Sequence, residues 1–190
     1  WEKGVVEKNV QDSRRRIWIE ADAATAEGGE AISSMAEAEP LQEIVELERD
    51  SAAGGTGDDW LAGGEGNDRL AGEDGSDILD GGNGNDTLRY SHPYLTGFVF
   101  VDLSTGFRDG LAANDILISI ENVTGTAFGN DTLIGDYQNN TLNGSGGNDY
   151  ISGGDGIDTL FGGSGDDILG GDIGNDTLYG DSGNDNLYGW

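Results

Sequence analysis

A nine-residue register, held through four consecutive units and later through seven more, leaves this chain few ways to fold. The first run is Gly54–Ala62 (GGTGDDWLA), Gly63–Ala71 (GGEGNDRLA), Gly72–Asp80 (GEDGSDILD) and Gly81–Arg89 (GGNGNDTLR). The second starts at Thr126–Ile134 (TAFGNDTLI), Gly135–Asn143 (GDYQNNTLN) and Gly144–Ser152 (GSGGNDYIS). It continues with Gly153–Phe161 (GGDGIDTLF), Gly162–Gly170 (GGSGDDILG), Gly171–Tyr179 (GDIGNDTLY) and Gly180–Tyr188 (GDSGNDNLY). Across these eleven units the sixth position is Asp in ten, the eighth is Leu or Ile in all, and the first and fourth are Gly in ten each. A lone Gly-Asp pair is a surface turn; a register kept this long is an architecture.

Each position has a physical role. Glycine enters φ > 0 conformations, so carbonyl oxygens can converge with no side chain in the way. Asn, frequent at the fifth position, tolerates the same region. The sixth-position carboxylate brings negative charge to the same pocket. The last three residues form a short strand, and period-two alternation turns only the eighth side chain inward. Two units make one coil of eighteen residues, so turns eighteen apart stack on the same edge. The expected fold is mainly β: a parallel β-roll, that is, a right-handed β-solenoid.

Such a coil has a deficit. It turns in only two aliphatic side chains, such as Leu61 and Leu70, too little apolar burial to offset ordering the chain. Composition says what fills the gap. The chain carries 37 acidic and 9 basic residues, a formal charge of −28. This excludes nucleic acid, which needs clustered Lys and Arg, and equally an anionic membrane surface. It favours a hard cation that prefers oxygen ligands, calcium above all. Folding and metal binding then become one event. No apolar run approaches the length of a membrane span, and no cysteine is present.

The units match GGxGxDxUx, and the chain resembles the RTX, or haemolysin-type, calcium-binding repeat proteins over about residues 54–188. The stretch between the runs, including Asp86-Thr87-Leu88-Arg89-Tyr90-Ser91 and Ser119-Ile120-Glu121-Asn122-Val123-Thr124-Gly125, resembles the segment leading into the roll of serralysin-type proteases and RTX surface proteins. The resemblance implies calcium held in the turns by backbone carbonyls and sixth-position carboxylates. Those would be Asp59, Asp68, Asp77, Asp86, Asp131, Asp149, Asp158, Asp167, Asp176 and Asp185. Stacked partners would be Asp59 with Asp77, Asp68 with Asp86, Asp131 with Asp149, Asp149 with Asp167, Asp158 with Asp176, and Asp167 with Asp185. It further implies type I secretion, an extracellular or cell-surface location, and a chain unfolded until it meets calcium. The alternative is the non-catalytic C-terminal region of a secreted RTX enzyme such as a metalloprotease, lipase or epimerase.

Departures from the motif carry expectations of their own. Asn140 replaces Asp and Gln138 replaces Gly in one unit, which weakens a site between that turn and the turn of Asp158. Thr126 stands where a leading Gly is expected. Asp58 and Asp166, at fifth positions, should face solvent and add field rather than bonds.

The rest divides by composition into residues 1–50, a linker or the end of an upstream module; 51–89, the first array; 90–125, a connecting insert; and 126–190, the second array. Residues 1–50 are Glu-rich, with a short strand expected near Ile17-Trp18-Ile19 and a helix from about Pro40 through Glu48. The Arg14-Arg15-Arg16 triplet reads as a solvated charge run. In the insert, Phe98–Leu103 and Ile116–Ile120 read as strands, with Phe107 and Phe128 packing on them and Asp115 marking a degenerate turn that could bind calcium. The only histidine is His92, in a loop before Pro93. Gly180-Asp181-Ser182-Gly183 resembles a serine-protease nucleophile segment but lies in repeat register without triad partners. No HExxH, CxxC or Walker lysine motif occurs, so the chain reads as a binding module and not an enzyme. Opening at Trp1 and stopping at Trp190 in mid-repeat, it also reads as a piece of something longer.

Overall fold

The computed structural model describes residues 16–18, 44–46, 51–90 and 97–189, and among these every regular element is a strand. They wind into a β-solenoid of about seven turns. One face is a continuous parallel sheet of seven strands: Ser51–Thr56, Arg69–Asp74, Thr87–Arg89, Asn122–Thr124, Thr141–Gly146, Thr159–Ser164 and Thr177–Ser182. We call it the long face.

The opposite, split face comprises two sheets. The first holds Trp60–Ala62, Ile78–Asp80 and Ile116–Ile118; the second holds Val99–Asp102, Thr132–Ile134, Tyr150–Ser152, Ile168–Gly170 and Asn186–Tyr188. Within each array the register is eighteen residues, as Leu61 opposite Leu79 and Leu142 opposite Leu160 opposite Leu178 show.

The core is a ladder of eighth-position side chains. Leu61, Leu70, Leu79, Leu88, Leu133, Leu142, Ile151, Leu160 and Leu169 are all buried. Along the last described coil the ladder opens, with Leu178 partly buried and Leu187 exposed. Ninth-position side chains face outward, and on the long face Phe161 and Tyr179 stack at 5.0 Å between ring centroids.

The insert continues the solenoid out of chain order. Leaving Thr87–Arg89, the chain forms Val99–Asp102, which pairs forward with Thr132–Ile134 and back on itself, antiparallel, with Arg108–Gly110. It then returns to Ile116–Ile118 beside Ile78–Asp80, and to Asn122–Thr124 between Thr87–Arg89 and Thr141–Gly146. This hairpin splits the split face. Phe107 packs edge-on against Phe100, as expected, whereas Phe128 lies exposed in its turn and packs on neither strand.

The helix expected from Pro40 through Glu48 is not formed where the structure describes it. Ile44–Glu46 is a strand, parallel to Trp60–Ala62 and antiparallel to Arg16–Trp18. The edge of the split face offers unpaired backbone groups, and two β-branched residues suit a strand better than a helix. Arg16–Trp18 meets the expectation of a strand near Ile17. The rest of residues 1–50, including Arg14 and Arg15, and His92 lie outside the described residues.

Candidate metal centres

The turns bring the sixth positions into two columns. On the turns entering the long face stand Asp68, Asp86, Glu121, Asn140, Asp158 and Asp176; on those entering the split face stand Asp59, Asp77 and Asp115, then Asp131, Asp149, Asp167 and Asp185. All six expected pairs are neighbours. In each, the amide of one sixth residue donates to Oδ1 of the next coil's: Asp59 to Asp77 (2.9 Å), Asp68 to Asp86 (2.8 Å), Asp131 to Asp149 (2.7 Å), Asp149 to Asp167 (2.8 Å), Asp158 to Asp176 (2.9 Å) and Asp167 to Asp185 (3.0 Å).

The second carboxylate oxygen tells a different story. Oδ2 of Asp77, Asp86, Asp149, Asp158 and Asp167 is buried without a hydrogen-bond partner. Leaving buried carboxylate oxygens bare is expensive. Desolvation accordingly raises the carboxyls of Asp77, Asp86 and Asp167, and pushes Asp149 up to about 7 and Asp158 up to about 6. A divalent cation would meet this need and cancel the charge.

Carbonyl oxygens share the pocket. A Cβ built on the leading Gly54 would lie 2.6 Å from Asp59 Oδ2 and 2.9 Å from the Gly72 carbonyl oxygen of the next coil. At Gly162 the same point lies 2.4 Å from Asp167 Oδ2 and 2.8 Å from the Gly180 oxygen. A leading glycine is thus required because carboxylate and carbonyl converge where its side chain would stand. Among the described residues no three acidic or histidine side chains gather into a metal cluster. Among these residues a site at the stacked turns would combine at most two carboxylates with backbone oxygens, a donor set suited to a hard ion such as calcium.

The departures behave as distinct cases. Asn140 is engaged throughout: its Oδ1 accepts from Asp136 N (2.9 Å) and its Nδ2 donates to Glu121 O (2.7 Å). Gly125, and not Thr126, holds the leading place, with Asp131 Oδ2 2.3 Å and the Gly144 oxygen 3.0 Å from its would-be Cβ. That unit is simply one residue longer. Asp58 and Asp166 are exposed, as expected, but they do form bonds, accepting the amides of Ser76 (2.9 Å) and Asn184 (2.8 Å) one coil on. Asn67, Asn130 and Asn148 do the same, so the fifth position is a ladder of side chain to backbone hydrogen bonds.

Glu121 was not among the sequence candidates. It takes a sixth position in the long-face column, its Oε2 accepting from Asp86 N (2.8 Å), and burial raises its carboxyl. The signal was local: Glu121-Asn122-Val123-Thr124-Gly125 parallels Asp131-Thr132-Leu133-Ile134-Gly135. Asp115 likewise occupies a sixth position, its Oδ1 accepting from Asp77 N (3.1 Å).

A solenoid whose stacked turns aim carbonyl and carboxylate oxygens into shared pockets defines a calcium-binding β-roll. A scan against protein families agrees: the RTX calcium-binding nonapeptide repeat, in four copies, matches residues 53–88, 126–160 and 161–190. The chain belongs to this family. Comparison with curated proteins gave no match. Among the described residues no helix is long and apolar enough to cross a membrane.

Proposed function

We propose that the chain is the calcium-responsive, non-catalytic module of a secreted RTX protein, disordered without calcium and folding on binding it outside the cell. The carrying observation is the set of buried Oδ2 atoms without partners at Asp77, Asp86, Asp149, Asp158 and Asp167. Metal-free, residues 51–190 hold 24 acidic and 3 basic groups, a composition that does not collapse unaided. Asp59, Asp68, Asp77, Asp86, Asp149, Asp158, Asp167, Asp176 and Asp185 would hold the ions with turn carbonyls; Glu121 would join Asp86. Asp131, whose oxygens are already engaged, departs from that description. Export through a type I machinery rests on the family resemblance: an unfolded chain passes a narrow conduit, and external calcium then folds it. Affinities on the order of 10⁻⁴–10⁻³ M suit that setting.

The test is far-UV circular dichroism during a calcium titration, with magnesium as control. A coil-to-β transition with calcium alone is expected, because magnesium demands tighter octahedral geometry and dehydrates reluctantly. A roll already formed in chelator would refute the switch.

A further inference from the structure

Unlike Asp77, Asp86, Asp149, Asp158 and Asp167, two sixth-position aspartates, Asp115 within the insert and Asp131 just beyond it, have both carboxylate oxygens engaged. Asp115 Oδ1 accepts from Asp77 N, and its Oδ2 accepts from the Tyr90 hydroxyl at 2.9 Å. Asp131 Oδ1 accepts from Val99 N (2.9 Å) and Oδ2 from Thr126 N (2.6 Å), while the Thr126 hydroxyl lies 3.2 Å from both oxygens. Asp115, Asp131, Tyr90 and Thr126 are all buried.

Tyr90 holds a leading position. Its amide donates to Thr124 O just as that of Gly81 donates to Ile118 O. In the nonapeptide units glycine stands there, pressed against the carboxylate; here a long excursion makes room for a phenol, whose hydroxyl meets the same oxygen. The Arg108 guanidinium offsets part of the burial cost of the Asp115 carboxylate. Apolar burial is richer too: Tyr90, Val99, Val101, Ala112, Ile120 and Val123 are buried here, against two aliphatic side chains in each eighteen-residue repeat coil, or four over the same length.

We propose that the insert, with Asp115 and Asp131 held by the hydroxyls of Tyr90 and Thr126, is a calcium-independent nucleus from which the two calcium-dependent arrays extend. This rests on the reading that the arrays themselves need calcium. Asp115 would then not be a calcium ligand, despite its place in the column.

Hydrogen exchange of the full chain in chelator tests it. Amides of Val99–Asp102, Ile116–Ile118 and Asn122–Thr124 should stay protected while Arg69–Asp74 and Thr159–Ser164 exchange as in an unfolded chain. Uniform fast exchange would overturn the nucleus and leave the calcium switch standing. Uniform protection would overturn both.

Tyr90→Phe should lower insert protection in chelator by about tenfold, and unchanged protection would remove the hydroxyl's role. Asp115→Asn keeps an acceptor for Asp77 N and an amide for the Tyr90 oxygen. By equilibrium dialysis in saturating calcium it should bind as many ions as the parent; the loss of one ion would make Asp115 a ligand and refute the proposal.

Discussion

Asp149 and Asn140 occupy equivalent sixth positions, yet one leaves a buried oxygen bare and the other does not. That contrast predicts unequal consequences. Asp149→Asn should raise the calcium midpoint of folding and reduce the ions bound, as followed by circular dichroism and dialysis. A change at Asn140 should leave the ion count alone. Protons would compete with a bound metal at the same oxygens. Burial raises Asp149 to about 7 and Asp158 to about 6 from 3.8, so in the metal-free roll each contributes stability that is fully present below about 3.8 and lost as pH rises through its raised value. Acidifying the chain in chelator from above pH 7 toward 4 should therefore favour β structure, while calcium binding weakens over the same interval; a pH titration of the circular dichroism signal checks both. Gly144→Ala would set a Cβ 2.0 Å from Asp149 Oδ2, displacing that carboxylate. Overpacking of this kind costs about 1–3 kcal/mol, seen as a higher calcium midpoint.

At the level of strands and turns, the eighth-position ladder and the second position of each turn set the energetics. Leu160 is wholly buried between Leu142 and Leu178, so Leu160→Ala should cost about 2–5 kcal/mol in saturating calcium by chemical denaturation. The second residue of several turns has positive φ, and Glu73 adopts it (φ 71°) where Gly64 and Gly82 do so freely. Glu73→Gly should thus gain about 1 kcal/mol in the same assay. Why the strands form was legible in the sequence, because a three-residue strand after a six-residue turn repeats without interruption. Glu121 was not, because the insert destroys the nine-residue spacing that made its neighbours visible. Nor was the strand at Ile44–Glu46: its partner edge, Trp60–Ala62, exists only once the roll is wound.

For the whole molecule, the continuous long face and the interrupted split face determine how the halves respond together. Each coil contacts only its neighbours, so stability is a sum of coils and interfaces and order spreads along the stack. The column of Asp149, Asp167 and Asp185 begins again beyond the hairpin that separates it from Asp59 and Asp77. The register of eighteen also fixes a phase. Each nonapeptide is a half-turn about the axis, so residues separated by an odd number of units look out from opposite sides. One extra unit after Ser152 would carry the stacked Phe161 and Tyr179 to the far side of the rod, and a second would bring them back. The count of repeats is thus an angular setting as much as a length, and gain or loss of a single unit reorients everything beyond it while coils away from the junction keep their contacts.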